Sequence, residues 1–329
     1  MTGRPLNWGL LSTARINRAL IHPLHASNRT FLLGAASRTQ SSADAYAREW
    51  KIPRAYGSYE ALLADPEIDV VYNPLPNHLH AEWTIKALRA GKHVLCEKPL
   101  ALSLPEVDAM MTASKETGKI LAEALMYRHH PQTLKVKEMV DGGALGKLQL
   151  IKGAFTFLMR REGDFRSVKE MGGGSIWDVG CYPISYARML AGEPSEVFGW
   201  QVLGEGGSDV SFFGEMRFAS GVHAEFDSGF QSPLRSFIEI VGSEAVVNIP
   251  VPFKPGLNSQ FQIRRASNKN KIETIHVPGP ELYLGEVDDM CDAVLLGKAP
   301  RVSLGDSRGN IAVILALLES ANTGKIVRL

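Results

Sequence analysis

The sequence predicts an α/β chain in two parts: an N-terminal doubly wound parallel sheet, then an α+β part built on a mostly antiparallel open sheet. Three observations carry this. The chain has 329 residues, about twice the ~150 of a typical domain. Over residues 1–124, short apolar runs alternate with helical patterns, as β-α-β units do. Over residues 125–329, longer runs with strand alternation replace them and helices become few. The domains are therefore placed at 1–124 and 125–329, with the closing helix able to pack back on the first.

Leu6 to Leu11 reads as the first strand, with a helix over roughly Ala14 to Leu24. Thr30 to Ser37 is the second run, followed by a helix around Ala43 to Trp50. Val70, Val71 and Tyr72 mark a third run between Asp69 and Asn73, and His78 to Ala90 is helical up to Gly91, a common helix stop. His93 to Cys96 is the fourth run. Ser103 to Glu116 is a helix whose capping box is Ser103 with Glu106, with Pro105 in its first turn. Gly118 ends it, and Ile120 to Ala124 is the fifth run. In the second part, a helix near Gln132 to Val140 leads to Gly142 and Gly143. Strand alternation follows over Leu148 to Leu158, Glu196 to Leu203, Asp209 to Phe218, Val222 to Phe230 and Ser236 to Val241, with Gly221 and Gly242 as turns. A helix over Ser175 to Leu190 interrupts the strands, and another over Gly309 to Asn322 closes the chain. Leu257 to Lys271 is polar and irregular, fitting a surface loop or hairpin.

Composition excludes several functions. Lys and Arg total 36 against 35 Asp and Glu, a net charge of +1. A dedicated nucleic-acid or membrane-surface binder needs basic excess, which this chain lacks. Cys96, Cys181 and Cys291 form no C-x-x-C pair and no disulfide framework, so a reducing, cytoplasmic setting is expected. The apolar stretch Trp8 to Leu11 is too short for a signal-peptide core, and no apolar run approaches 18 residues. His129 and His130 are adjacent and point apart, with no further ligand at suitable spacing, so no metal is expected. There is no G-x-S-x-G elbow of a hydrolase.

In a doubly wound sheet, ligands bind at the carboxyl ends of the strands, near the topological switch point. The first strand is followed by Ser12, Thr13, Ala14, Arg15, Ile16 and Asn17. A dinucleotide fingerprint would be G-x-G-x-x-G, but Ser12, Ala14 and Asn17 stand at its glycine positions. Ser12 and Ala14 are small enough for a pyrophosphate to approach the backbone if their φ angles are negative. The plainer alternative is an ordinary strand-to-helix turn with Ser12 or Thr13 as N-cap. The second strand ends in Ser37 and Arg38. NAD sites place a carboxylate here for the ribose hydroxyl, whereas an arginine suits a 2′-phosphate. NADP(H) is therefore preferred and NAD(H) remains possible. The alternative is a solvent-facing arginine. The third strand runs into Pro74, Leu75, Asn77 and His80; Asn77 and His80 are expected beside the cofactor, with a solvent-facing His80 as the alternative. The fourth ends in Glu97, Lys98 and Pro99, where the proline restricts the backbone of Lys98 and a cis bond is conceivable. The fifth leads to Met126, Tyr127 and Arg128.

A glycine run, Gly172 to Gly174, precedes Ser175, Ile176, Trp177 and Asp178, and Tyr182 lies four residues beyond Asp178. That spacing places Asp178 and Tyr182 on one helix face. A carboxylate and a phenol one turn apart can reach a single substrate hydroxyl. Singly, Asp178 could be a helix-start acid and Tyr182 a core aromatic.

The order of these pieces resembles the glucose–fructose oxidoreductase/inositol dehydrogenase/MocA (Gfo/Idh/MocA) family. The matching parts are Trp8 to Ile16, Asn73 to His80, Glu97-Lys98-Pro99, Glu123 to Gln132 and Gly172 to Tyr182. Glu123 to Gln132 looks most like the dimeric dihydrodiol dehydrogenase and aldose 1-dehydrogenase branch. Two departures stand out: the glycine fingerprint is replaced, and Tyr182 stands where many members carry His. The resemblance implies a Rossmann domain and hydride transfer between nicotinamide and a sugar-like or cyclic polyol or diol substrate. It implies roles for Lys98 and Tyr182 in catalysis, with Tyr182 as general acid/base, Lys98 lowering its pKa, and Asp178 on a substrate hydroxyl or on Lys98. The implied cofactor set is Ser12, Thr13, Ala14, Arg15, Ile16, Ser37, Arg38, Pro74, Leu75, Asn77, His80, Glu97, Lys98, Arg166 and Trp177. Met126, Tyr127, Arg128 and Phe157, with Phe155 and Trp177, would flank the substrate. Family members commonly pair the open sheet face, so a homo-oligomer, a dimer, is expected. Two other readings stand beside this one: a non-catalytic NADP sensor on the same fold, and a reductase of a nucleotide-linked keto-sugar.

Overall fold

The computed structural model describes residues 4–160, 163–268 and 270–329. The chain forms two compact units. One runs to His129 and includes Tyr283–Arg308; the other comprises His130–Leu282 and Gly309–Leu329.

The first unit alternates strand and helix. It contains β1 (Leu6–Leu11), α1 (Asn17–Ala26), β2 (Thr30–Ala36), α2 (Gln40–Trp50), β3 (Arg54–Tyr56), α3 (Tyr59–Ala64), β4 (Val70–Asn73), α4 (His80–Arg89), β5 (His93–Glu97), α5 (Leu104–Thr117) and β6 (Leu121–Ala124). The strands form one parallel sheet in the order β3-β2-β1-β4-β5-β6, so the order reverses between β1 and β4. This is the doubly wound arrangement expected, with a sixth strand. β3 escaped the sequence reading because three residues, Arg-Ala-Tyr, carry no alternation, and it lies at a sheet edge. α1 begins at Asn17, three residues after the expected start, because the chain first makes a tight turn at Ser12–Ile16. α5 is bounded as its sequence demands. Ser103 accepts from the Glu106 N–H, the Glu106 carboxylate accepts from the Ser103 hydroxyl at 2.9 Å and the Leu102 N–H at 3.1 Å, and Gly118 closes the helix at φ +65°.

The second unit opens with α6 (Pro131–Asp141) and β7 (Leu148–Thr156), then α7 (Cys181–Ala191). β8 (Pro194–Leu203), β9 (Asp209–Phe218), β10 (His223–Gly229), β11 (Arg235–Gly242), β12 (Ala245–Ile249), β13 (Asn258–Arg265) and β14 (Ile272–Pro278) follow. α8 (Leu284–Leu296) belongs to the first unit, α9 (Leu304–Thr323) starts there and ends in the second, and β15 (Val327–Arg328) completes the second. The nine strands order as β14-β13-β12-β11-β7-β10-β9-β8-β15, all antiparallel pairs except β7 with β10. The polar stretch around residues 257–271 forms a hairpin, β13–β14; Lys269 within it lies outside the described residues. One face of this sheet is buried under α7. The other leaves Trp200 65% and Phe213 52% exposed, and these two are register partners on β8 and β9.

The first unit's core joins Trp8, Leu10, Leu32, Val70 and Leu95 of the sheet to Leu20 and Leu24 of α1 and to Val287, Met290 and Cys291 of α8. Each large aliphatic buried this way contributes about 1.5–3 kcal/mol. α8 was not read from the sequence. Its apolar stripe comes after a long strand-rich segment, and nothing local says that it returns to the first sheet.

Candidate active site

The first unit's candidate residues gather at the carboxyl edge of the parallel sheet. The turn between β1 and α1 corrects one expectation: Ser12 has φ +78°, not a negative value. It occupies the left-handed conformation that the fingerprint's glycine would supply, because the chain must leave β1 sharply before α1 starts. The Asn17 side chain secures the turn by donating to the Ser12 carbonyl at 2.9 Å. Neither Ser12 nor Thr13 caps α1; the N-cap is Ile16, with no side-chain bond. The Ser12 hydroxyl oxygen is buried and has no hydrogen-bond partner among the described residues. Thr13, Ala14 and Ile16 are half-buried and Arg15 is exposed. At the end of β2, the buried Ser37 donates its N–H to Tyr56 at 2.9 Å, and Arg38 is exposed, close enough to Tyr59 to act on its phenol. Thr39 caps the start of α2, its hydroxyl accepting from the Ser42 N–H.

The loop after β4 is pinned from inside. Asn73 donates to the His80 carbonyl and to Thr84, and accepts from the Leu75 N–H. Pro74, Leu75 and Asn77 are buried. His80 is wholly buried, with its two ring nitrogens 2.7 Å from the carbonyl oxygens of Pro99 and Leu75. Burial pushes its pKa down to about 4 against the pull of those carbonyls. His80 therefore sits between the loop after β4 and the loop after β5, and in its neutral form it donates to one of the two carbonyl oxygens at a time.

β5 delivers Glu97 and Lys98, and the Lys98–Pro99 peptide is cis. The Glu97 carboxylate accepts the Tyr72 hydroxyl at 2.6 Å and folds back to the Lys98 N–H at 3.2 Å. Lys98 is half-buried. Three groups around Glu97 were not anticipated: Tyr72, Tyr283 and Glu286. Glu286 is 1% exposed, and neither carboxyl oxygen has a hydrogen-bond partner among the described residues. Burial, reinforced by the charge on Glu97, pushes its pKa well above the usual carboxylate range. The Tyr283/Glu286 spacing on one helix would have been the only sequence signal.

Met126, Tyr127 and Arg128 lie on a 3₁₀ turn after β6 and are 3%, 0% and 8% exposed. The Arg128 guanidinium pairs with Asp306 at 2.8 Å. The members of this pair lie 178 residues apart, with no local sequence signal to join them.

The second unit's residues centre on the glycine run. Gly172 and Gly174 hold φ +75° and +120°, and a Cβ on Gly173 would lie 2.5 Å from the Arg166 carbonyl. All three are therefore required by backbone geometry. Residues Ile176–Gly180 form a π-helix that continues into α7. Trp177 and Asp178 sit on it, 7% and 8% exposed. Asp178 accepts from the Arg166 Nε at 2.7 Å, and Arg166 also reaches Asp164 at 3.2 Å and lies over the Phe165 ring. Burial opposes the charge on Arg166, and the two carboxylates outweigh it, raising its pKa. Tyr182, in the first turn of α7, is 4% exposed, its ring 5.4 Å from those of Phe155 and Phe253. Phe157 packs at 5.2 Å on Phe230. Among the described residues, no group of three His, Cys, Asp or Glu could hold a metal.

Residues 6–125 match the profile of an oxidoreductase family with an NAD-binding Rossmann fold, and residues 133–248 match the GFO/IDH/MocA C-terminal domain. D-xylose 1-dehydrogenase (NADP(+)) 2 of Haloferax volcanii is 35% identical over 98% of this chain and 99% of its own. Trans-1,2-dihydrobenzene-1,2-diol dehydrogenase of Danio rerio is 32% identical over 92% of each chain. A 3-ketoreductase from Actinomadura kijaniata, solved with NADP and TDP-benzene, superposes with a TM-score of 0.90 at 29% identity, covering 96% of this chain and 98% of that one. The two profiles and the full-length relatives lead to one conclusion: the chain belongs to the Gfo/Idh/MocA oxidoreductase family.

Proposed function

We propose that the chain is an NADP(H)-dependent oxidoreductase that interconverts a CH–OH group and a carbonyl on a sugar-like or cyclic diol substrate. The observation that carries this is the turn at Ser12–Ile16. It stands beside the strand-order reversal, in a glycine-like conformation, with an unpartnered buried hydroxyl and an uncapped helix start. Those features fit a pyrophosphate, which brings acceptors for orphan donors and negative charge for the helix N-terminus. Ser12 to Ile16 would hold the pyrophosphate, and Arg38 would pair with a 2′-phosphate, favouring NADP(H) over NAD(H). Asn77, on the loop pinned by His80, and Lys98 would border the nicotinamide.

The nicotinamide, when bound, gives or takes the hydride. The chain's own residues handle the proton and the orientation. Tyr182 exchanges a proton with the substrate oxygen. A phenol's ordinary pKa near 10 makes it a poor base at neutral pH, and the Lys98 ammonium, brought to the same substrate oxygen, favours the phenolate. Glu97 fixes the Lys98 backbone, Asp178 orients Arg166, and the aromatic rings around Tyr182 limit water at its face. Met126, Tyr127, Arg128 and Phe157 are proposed to shape the substrate site, Arg128 through its pair with Asp306. The Actinomadura ketoreductase has been solved as a tyrosine-to-phenylalanine and a lysine-to-alanine variant with NADP and TDP-benzene, the same residue types as this proposed pair. That relative also supports a second reading, reduction of a nucleotide-linked keto-sugar by the same chemistry. The non-catalytic sensor loses ground to family membership. We further propose a cytoplasmic setting, on the three free cysteines, and a homodimer closed through the open face of the nine-stranded sheet. Among the described residues no helix is long and apolar enough to cross a membrane.

The test is absorbance of reduced nicotinamide with a panel of aldoses, cyclic diols and a dTDP-keto-sugar. Tyr182→Phe and Lys98→Met are each expected to lower kcat by about 10²–10⁴ while NADP(H) still binds. Near-normal turnover in either variant overturns the assignment.

A further inference from the structure

The π-helix at Ile176–Gly180 sets the relation between Trp177 and Asp178 on one side and Tyr182 on the other. Such turns are rare, occur mostly as single insertions within α-helices, and are frequent at functional sites. A π turn holds about one residue more than an α turn, so relaxation to α register would rotate the upstream residues by roughly 100° relative to Tyr182. Something must hold the wider turn.

Asp209, the first residue of β9, is 3% exposed and lies against the start of this turn. Its Oδ2 accepts the Ser175 hydroxyl at 2.5 Å and the Ile176 N–H at 3.0 Å. Its Oδ1 fills the place where residue 174 would carry a side chain, since a Cβ on Gly174 would lie 2.2 Å from it. The Ser175 hydroxyl is in turn 3.0 Å from that of Ser228 on β10. A Cβ on Gly180, at the far end of the turn, would also meet Ser228 at 3.0 Å. The π turn is thus gripped at its start by Asp209 and bordered at both ends by Ser228. A buried carboxylate is costly unless donors compensate for lost hydration, and two of the donors here belong to the first residues of the turn.

We propose that Asp209 is a positioning residue for this enzyme, one that locks residues 176–180 in the π register and thereby sets Tyr182 against Trp177 and Asp178. The proposal rests on the role assigned above to Tyr182. Asp209 touches no reacting atom and acts through the turn alone.

The variants are Asp209→Asn and the milder Ser175→Ala, which keeps the carboxylate and removes one donor. Each is expected to lower kcat about 10- to 100-fold, the scale of an ångström-sized misplacement, with KM for NADP(H) within about twofold of the parent. In a Tyr182→Phe background neither change should lower kcat further, because both act through the same phenol. Unchanged kcat, or a full additional loss on top of Tyr182→Phe, overturns the proposal; the second result is what a general loss of folding would give. A crystal structure of either variant supplies the independent readout. Residues 176–180 in α register support the proposal, and an intact π turn overturns it. If the parent enzyme shows no NADP(H)-dependent turnover at all, the Tyr182 reading falls, and the crystal structure alone decides what Asp209 holds.

Discussion

Glu286→Gln should make the protein more stable, and increasingly so as the pH rises. The parent carboxyl is buried on α8 without a hydrogen-bond partner among the described residues, beside the charge of Glu97. Its folded-state pKa is raised well above the unfolded value near 4.3. The folded state therefore holds a proton that the unfolded state has released. Stability from this group is fully present below the unfolded pKa and is lost as pH rises toward the folded one, at about 1.4 kcal/mol per pH unit. Glutamine copies the neutral acid and has no proton to lose. Over the pH range between the unfolded and the folded pKa the variant should gain up to about 1.4 kcal/mol on the parent per pH unit. For a unit of this size that widens the difference in Tm by about 3–6 °C per pH unit. Thermal melts of both proteins across that pH range read it directly. Parallel curves, or a parent that gains on the variant with pH, would refute the reasoning, because either requires Glu286 to be ionised in the fold.

Ser12→Gly should raise Tm by about 2–4 °C, since it relieves a left-handed serine at a net gain of about 1 kcal/mol. The same change should raise KM for NADP(H) several-fold through loss of the hydroxyl, and a lower Tm would contradict the strain. If the parent is the proposed dimer, Trp200→Glu, placing charge on the apolar outer face of β8, should leave a monomer by light scattering. A monomeric parent would remove the proposed sheet-face interface.

The sequence made the parallel sheet legible because each of its long strands is an apolar run bounded by turn residues, and α5 legible because its cap and its terminating glycine are local. The candidate lysine was equally plain, standing between a strand end and a proline. Partners fixed only by tertiary packing were not. Arg166 on Asp178, Arg128 on Asp306, and Asp209 on Ser175 join residues 12, 178 and 34 apart, and no periodicity announces them. The turn at Ser12 misled for a different reason. A serine was read by its size, while the backbone demanded a glycine-like φ that Asn17 secures from the next helix. The π-helix was read as ordinary α-helix because its pattern of apolar residues differs by a single insertion.

The return of α8 to the first unit orders events during synthesis. Val287, Met290 and Cys291 complete a core whose other members are encoded more than 160 residues earlier. A ribosome that has released the first 129 residues has released a sheet with its closing helix still untranslated, and the exposed apolar seam stays open while residues 130–282 of the second unit are made. The N-terminal unit is thus the first begun and among the last completed. A fragment ending after β6 should behave as a sticky intermediate that calls on chaperones, and a nonsense mutation anywhere before residue 284 would disable the nucleotide-binding half along with everything downstream.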